Sequence, residues 1–201
     1  VGAGGGGGGG GRGGIFTAPA APAAAPGATM GSAELINIIK QTINAKFVEV
    51  IGQGAALATI NNNTGTGNAS NQAITVSGVN GNDESIVVKA LGAGGATIQN
   101  GIGASTGQQN ITVNGTGDNL LRVVGTGGNA TIVANGTGVA NNQQNISVTG
   151  GTTNTIEVGD VATTGISRIG GINQTVIAGD PGIPAQPGAI TGATGTFTMA
   201  V

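Results

Sequence analysis

QQNITVNG at residues 108–115 and QQNISVTG at 143–150 are six-eighths identical and lie 35 positions apart, and a related NQAITVSG occupies 71–78. Such self-similarity at a period of 20–50 residues marks a repeat architecture. The apolar centres along the chain sort into three series: Ile60, Ile98, Ile132, Ile166; then Ile74, Ile111, Ile146; then Ile51, Ile86, Leu121, Ile156, Ile190. Steps within a series run from 34 to 38 residues. Neighbours repeat as well, with ATI at 58–60, 96–98 and 130–132. The short spacing between apolar runs fits either a β-sandwich or a β-solenoid. The longer period favours a solenoid of about four turns with three short strands per turn, like strands stacking about 4.8 Å apart.

That stacking gives the quoted octapeptide its meaning. Gln108 falls over Gln143, Gln109 over Gln144 and Asn110 over Asn145, where side-chain amides hydrogen-bond along the axis as well as the backbone does. Alternation of Ile and Val with Thr or Ser turns Ile111 and Val113 inward and Thr112 outward. These six Gln and Asn residues are the first candidates for self-assembly.

The composition agrees with a chain that folds against protein. Charged residues are only 7% of 201, with a net charge of −2, against roughly 25% charged in an ordinary soluble domain. Low charge offers little resistance to association. It also supplies neither the basic footprint of a nucleic-acid binder nor a polybasic membrane patch. Three phenylalanines and six scattered cations do not make the aromatic-plus-basic platform of a single-strand binder. No apolar run approaches the roughly 18–20 residues of a membrane span. The sequence starts at Val1 rather than Met, which suits a chain whose export signal has been removed, or a trimmed one.

Four regions follow. Residues 1–31 form an arm with eleven glycines in its first fourteen positions, then a Pro/Ala stretch around Pro19, Pro22 and Pro26. The glycine run is flexible on its own and the proline stretch favours extended geometry. The arm reads as a linker or as a strap that orders on a neighbouring subunit. In 32–45, SAELINIIKQTINA, Ser32 suits an N-cap and Glu34 the positive end of a helix dipole. Leu35, Ile39 and Ile43 recur at i+4 beside Ile36, so the segment predicts a short amphipathic helix capping the first turn. Residues 46–180 are the β-repeat body, free of proline as ladder strands require. In 181–201, after Pro181, Pro184 and Pro187, the chain reads GTFTMAV at 195–201. There Phe197, Met199 and Val201 alternate as in a strand, which either closes the molecule's own last turn or is donated to the next subunit.

Nothing in the chain is poised for catalysis. Histidine and cysteine are absent, and no acid pair recurs through the repeat, so general acid–base and nucleophilic chemistry lack candidates. Metal-ligating and cofactor-binding residues are not discernible either: Asp83-Glu84 and GTGDN at 115–119 lack the tandem nine-residue spacing of a calcium roll. Arg122 and Glu157 each follow a centre of the third series by one residue, which predicts a cross-turn ion pair worth about 1 kcal/mol at most. Eight N-x-S/T sequons begin at Asn62, Asn68, Asn110, Asn114, Asn129, Asn135, Asn145 and Asn173. They are glycosylation acceptors if the protein is extracellular, or chance products of an Asn/Thr/Ser-rich chain.

The repeats over roughly 71–158, through QQNITV and QQNISV, resemble those of secreted bacterial functional amyloids of the curli-like and Fap-like kinds. Curli-like repeats are shorter, and the terminal Cys pair of Fap-like subunits is missing. The resemblance implies an extracellular fibre subunit without catalytic residues, whose partner is itself. The sequence therefore leads to the expectation of a non-enzymatic subunit that polymerises by stacking β-edges. Its alternatives are a pilin-like β-sandwich joined by donor strands, a monomeric adhesin or ice-binding solenoid presenting Thr/Asn rows, and a phage fibre or decoration protein.

Overall fold

Backbone polar groups in a chain so poor in helix formers must pair between segments, and the repeat lets each segment pair with its copy one period away. A computed structural model describes residues 14–17, 33–37, 40–62, 69–101, 106–134, 142–159, 164–171, 174–179, 188–192 and 199–200. Among these the chain is all-β and contains no helix. The first strands are β1 (Gly14–Thr17), β2 (Ala33–Asn37) and β3 (Lys40–Ala45). Four coils of three strands each make the body. They are β4 (Val48–Gln53), β5 (Ala58–Asn62) and β6 (Ala69–Val76); then β7 (Ile86–Leu91), β8 (Ala96–Asn100) and β9 (Thr106–Val113). The third coil is β10 (Asp118–Gly125), β11 (Ala130–Ala134) and β12 (Asn142–Val148). The fourth is β13 (Thr153–Val158), β14 (Ser167–Gly170) and β15 (Gln174–Ala178). Beyond it lie β16 (Gly188–Gly192) and β17 (Met199–Ala200).

Every third strand joins the same sheet. Sheet A is β1-β4-β7-β10-β13-β16, sheet B is β2-β5-β8-β11-β14-β17, and sheet C is β3-β6-β9-β12-β15. The strand pairings are parallel and in register, which is the β-solenoid expected from the period. A two-sheet antiparallel sandwich is excluded, since the described strands form three sheets and pair in parallel with strands one period away.

Like residues stack as the repeat demands. Ile74, Ile111 and Ile146 form one column, Ile60, Ile98 and Ile132 a second, and Ile86, Leu121 and Ile156 a third continued in register by Ile190. The residues of these columns from Ile60 to Ile156 are at most 1% exposed, and burying such a side chain stabilises by about 1.5–3 kcal/mol.

Two members of the expected series are displaced. The third column starts at Val48, opposite Ile86, while Ile51 lies opposite Lys89. The first ends at Ile169, opposite Ile132, while Ile166 is 51% exposed. Both shifts are of three residues, and an odd shift turns a side chain to the other face of the strand. The second has a visible cause: eight residues separate β13 from β14, against four between β10 and β11.

The predicted helix at 32–45 is not formed: β2 and β3 occupy it. Leu35 is in register with Ile60 and Ile43 with Ile74, so these two members of the stripe belong to two solenoid columns rather than one helix face; Ile39 lies outside the described residues. Its β-branched isoleucines favour strand. The steps of 25 and 31 residues are shorter than the later period, which conceals the coil in the sequence. Residues 14–17 of the arm pair as β1 with the chain's own β4; the rest of 1–31 lies outside the described residues. At the other terminus Met199 pairs with Ile169, so β17 extends the molecule's own sheet B. Phe197 and Val201 lie outside the described residues.

At the corner from sheet A to sheet B the stacked backbones approach too closely for side chains. A Cβ on Gly128 would stand 2.0 Å from the Gly94 carbonyl oxygen, and one on Gly165 2.0 Å from that of Gly128. By contrast, a Cβ on Gly117 would meet nothing within 4 Å. Gly128→Ala is expected to destabilise by several kcal/mol, of order 3, and Gly117→Ala to stay within about 1 kcal/mol of the parent. Denaturant unfolding of the two variants checks this.

Candidate functional site: stacked amides and open strand edges

A glutamine two positions before the first core residue of each sheet C strand points inward at the corner where the chain arrives from sheet B. Gln41, Gln72, Gln109, Gln144 and Gln174 thus form one column. Gln72, Gln109 and Gln144 are no more than 1% exposed. Each Nε2 donates to the Oε1 one coil earlier: Gln72 to Gln41 at 2.6 Å, Gln109 to Gln72 at 2.7 Å, Gln144 to Gln109 at 2.6 Å, Gln174 to Gln144 at 2.5 Å. The second amide proton turns to a sheet B carbonyl. Gln72 donates to Gln99 O at 3.1 Å and Gln109 to Val133 O at 3.2 Å, with longer contacts from Gln41 to Asn61 O and from Gln144 to Ile132 O. Each interior rung therefore holds the coil behind it through its amide and a sheet B strand through its other proton. An unpaired buried amide would cost about 1–3 kcal/mol per group, and this arrangement avoids that cost at every interior rung.

Asparagines stack at other positions too, although there Asn62 Oδ1 and Asn119 Oδ1 are buried without a partner. Asn62 Nδ2 donates to Asn100 Oδ1 at 2.8 Å, and Asn100 Nδ2 donates to Ser70 O at 3.0 Å. At the corner from sheet C to sheet A, Asn119 Nδ2 donates to Asn154 Oδ1 at 3.1 Å and to the Gly115 and Thr149 carbonyls.

The pairs expected from the octapeptide are in register: Gln108 opposite Gln143, Gln109 opposite Gln144, Asn110 opposite Asn145. They divide into two environments. Gln109 and Gln144 belong to the buried column, whereas the others face outward on sheet C. There Asn145 Nδ2 donates to Asn110 Oδ1 at 2.9 Å, and exposed Gln108 reaches Gln143 Oε1 at 3.5 Å. The outer face of sheet C is a grid of short polar side chains. Its central row is Thr42, Ala73, Asn110, Asn145 and Thr175, and the next row is Asn44, Thr75, Thr112, Ser147 and Ile177.

Charge gathers instead on sheet A. Arg122 lies between Glu84 (3.3 Å) and Glu157 (3.2 Å), and Asn80 joins Glu84 to Glu49, donating to the latter at 2.6 Å. The expected Arg122–Glu157 pair is thus one link of a longer axial chain. Asp118, fully exposed, accepts from the Thr153 and Thr152 hydroxyls at 2.7 and 2.8 Å. These bonds hold its carboxyl below the usual 3.8, Thr153 contributing most.

The sequons separate by environment. Asn62 is buried, Asn110 and Asn145 are half-buried in their ladder, and Asn114 and Asn129 are exposed; Asn68, Asn135 and Asn173 lie outside the described residues. Among the described residues no group of His, Cys, Asp or Glu is arranged to hold a metal, and no helix is long and apolar enough to cross a membrane. Sequence reasoning missed Gln41, Gln72 and Gln174 as rungs. The signal was a glutamine two residues before Ile or Val in KQTI, NQAI and NQTV, which the near-identity of the two QQN copies overshadowed. Comparison with protein-family models, with curated proteins and with solved structures finds no match.

Gln109→Leu leaves Gln72 Oε1 without its donor and takes from Gln144 Nε2 its shorter bond, and is expected to cost about 2–5 kcal/mol, whereas exposed Gln108→Leu should stay within about 0.5 kcal/mol; chemical denaturation reads both. For Asp118, a depressed native pKa contributes stability above the unfolded value and loses it as pH falls through the native one. Carboxyl-detected NMR should therefore place its midpoint below 3.8, and Thr152→Ala with Thr153→Ala should move it up.

Proposed function

We propose that this protein is a structural, non-enzymatic subunit that self-assembles end to end into an extracellular filament or matrix fibre. The observation that carries this reading is the pair of sheet edges at the two ends of the stack. Among the described residues, β1, β2 and β3 are the outermost strands of their sheets at one end, and β15, β16 and β17 at the other. An outermost strand presents backbone N–H and C=O groups that template pairing with another chain. Natural solenoids blunt such ends with atypical terminal repeats. Here the strands of both ends follow the registers of the body, so a second copy would meet a surface of the kind that already binds coil to coil. The low charge of the chain, −2 in 201 residues, leaves little repulsion between copies.

A filament made this way needs no catalytic group, cofactor or metal, in keeping with a chain that contains no His and no Cys. Secretion fits the resemblance of its QQN repeats to those of functional amyloids. The part of the 1–31 arm outside β1 would then strap adjoining subunits.

Electron microscopy of the purified chain in physiological salt tests the reading. Uniform filaments with a strong axial repeat near 4.8 Å are expected, and deleting residues 1–13 should weaken them without unfolding the solenoid. Monomers or closed oligomers at every concentration would overturn it.

A further inference from the structure

The three outer faces differ in a way the sequence does not announce. Sheet A carries the Glu49–Asn80–Glu84–Arg122–Glu157 chain and Lys89, and several of its outward side chains are already covered, Val87 at 3% exposure and Val124 at 2%. Sheet B is likewise partly covered, with Thr59 and Val133 at 7%, and it carries the exposed Arg168. Sheet C alone is open along its length and, Lys40 at its margin excepted, uncharged among the described residues.

We propose that the outer face of sheet C is the lateral seam at which one axial stack meets the same face of a second, so that the partner is another copy of this chain. The proposal rests on the filament reading and names the surface that pairs filaments. Three features support it. First, both partners share one coil spacing, so rows of short side chains interlock over any length, as in the dry zippers between stacked sheets. Second, the Asn110–Asn145 bond and its neighbours already hold the side chains in place, so little rotamer freedom remains to be lost on docking. Third, Ile177 is 42% exposed on this face and gives the seam an apolar contact.

The area decides when the seam forms. Five strands about 4.8 Å apart and three outward residues per strand cover roughly 500 Å² per copy, below the roughly 800 Å² per partner of a standard stable interface. One copy against one copy is therefore too small, and the seam becomes stable only when axial stacking presents many copies at once. Lateral pairing follows filament formation and does not precede it.

The test compares the parent with Thr112→Lys/Ser147→Lys on the face, and with Thr116→Lys/Thr126→Lys, which adds the same charge at exposed corners. Circular dichroism and thermal melting first establish that all three fold alike. Cryo-electron microscopy then counts paired against single filaments, and sedimentation examines the unassembled protein. Expected are paired parent filaments with sheet C at the seam, a monomeric unassembled pool, and at least a tenfold drop in pairing for the face variant alone. Filaments that are single in the parent, or equally paired in the face variant, overturn the seam and leave the filament reading standing. Single filaments that co-sediment with insoluble chitin through this face assign it to a glycan and overturn the seam as well. Absence of filaments in all three proteins overturns both.

Discussion

A glutamine amide can lie in this apolar interior only because the neighbour along the axis is another glutamine amide. In a parallel stack each inward position faces its own repeat about 4.8 Å away, so a polar residue is satisfied by an identical one and orphaned by almost anything else. The constraint reaches beyond the column. With one proton on the preceding rung and the other on a sheet B carbonyl, Gln109 sets the height of sheet C relative to sheet B. The chain length between those sheets is then free to vary. Six residues separate β5 from β6, five separate β8 from β9, and seven separate β11 from β12, yet every rung remains in register.

Each corner solves the same backbone problem with different chemistry. Between sheets B and C the glutamines cap carbonyls, between C and A Asn119 and Asn154 do so, and between A and B the side chain is removed so that glycine backbones nest. The glycines and asparagines at these corners therefore have a structural role. The outward faces are released from these duties. That freedom allows sheet A to concentrate charge while sheet C remains a neutral grid.

The periodic core was legible from the sequence because burial and stacking act on the same residues: Ile74, Ile111 and Ile146 announce both strand and column. Where one of the two signals shifts, the reading slips. Leu35 and Ile43 stand at steps of 25 and 31 from their partners and happen also to match a helical stripe, so local spacing suggested a helix that the free edges of β5 and β6 override. Ile166 kept the period but sits in a link lengthened to eight residues, and Ile169 took its place. Of the stacked amides, the QQN copies disclosed that amides stack. The phase set by inward Ile111 already implied an inward Gln109, but the near-identity of the two copies drew the reading to the QQN pair as a whole and away from Gln41 and Gln174.

The glutamine column also has a direction. Donation always runs toward the earlier coil, and the second proton fixes the amide against reversal, because turning it would set an oxygen against a sheet B carbonyl. The two ends of the stack are thus unlike: the carbonyl oxygens of the rungs face the later coils throughout. Joining two copies by equivalent ends would bring together like members of the column and strands of opposite direction, breaking the parallel register that every sheet here maintains. Joining unlike ends continues both. For the filament proposed above, the column therefore argues for heterologous, head-to-tail contacts, the arrangement that extends without closing when its rotation does not return to the start. A filament built so is polar, and the lateral seam on sheet C then admits two arrangements, with stacks running the same way or opposed. The uniform coil spacing allows either.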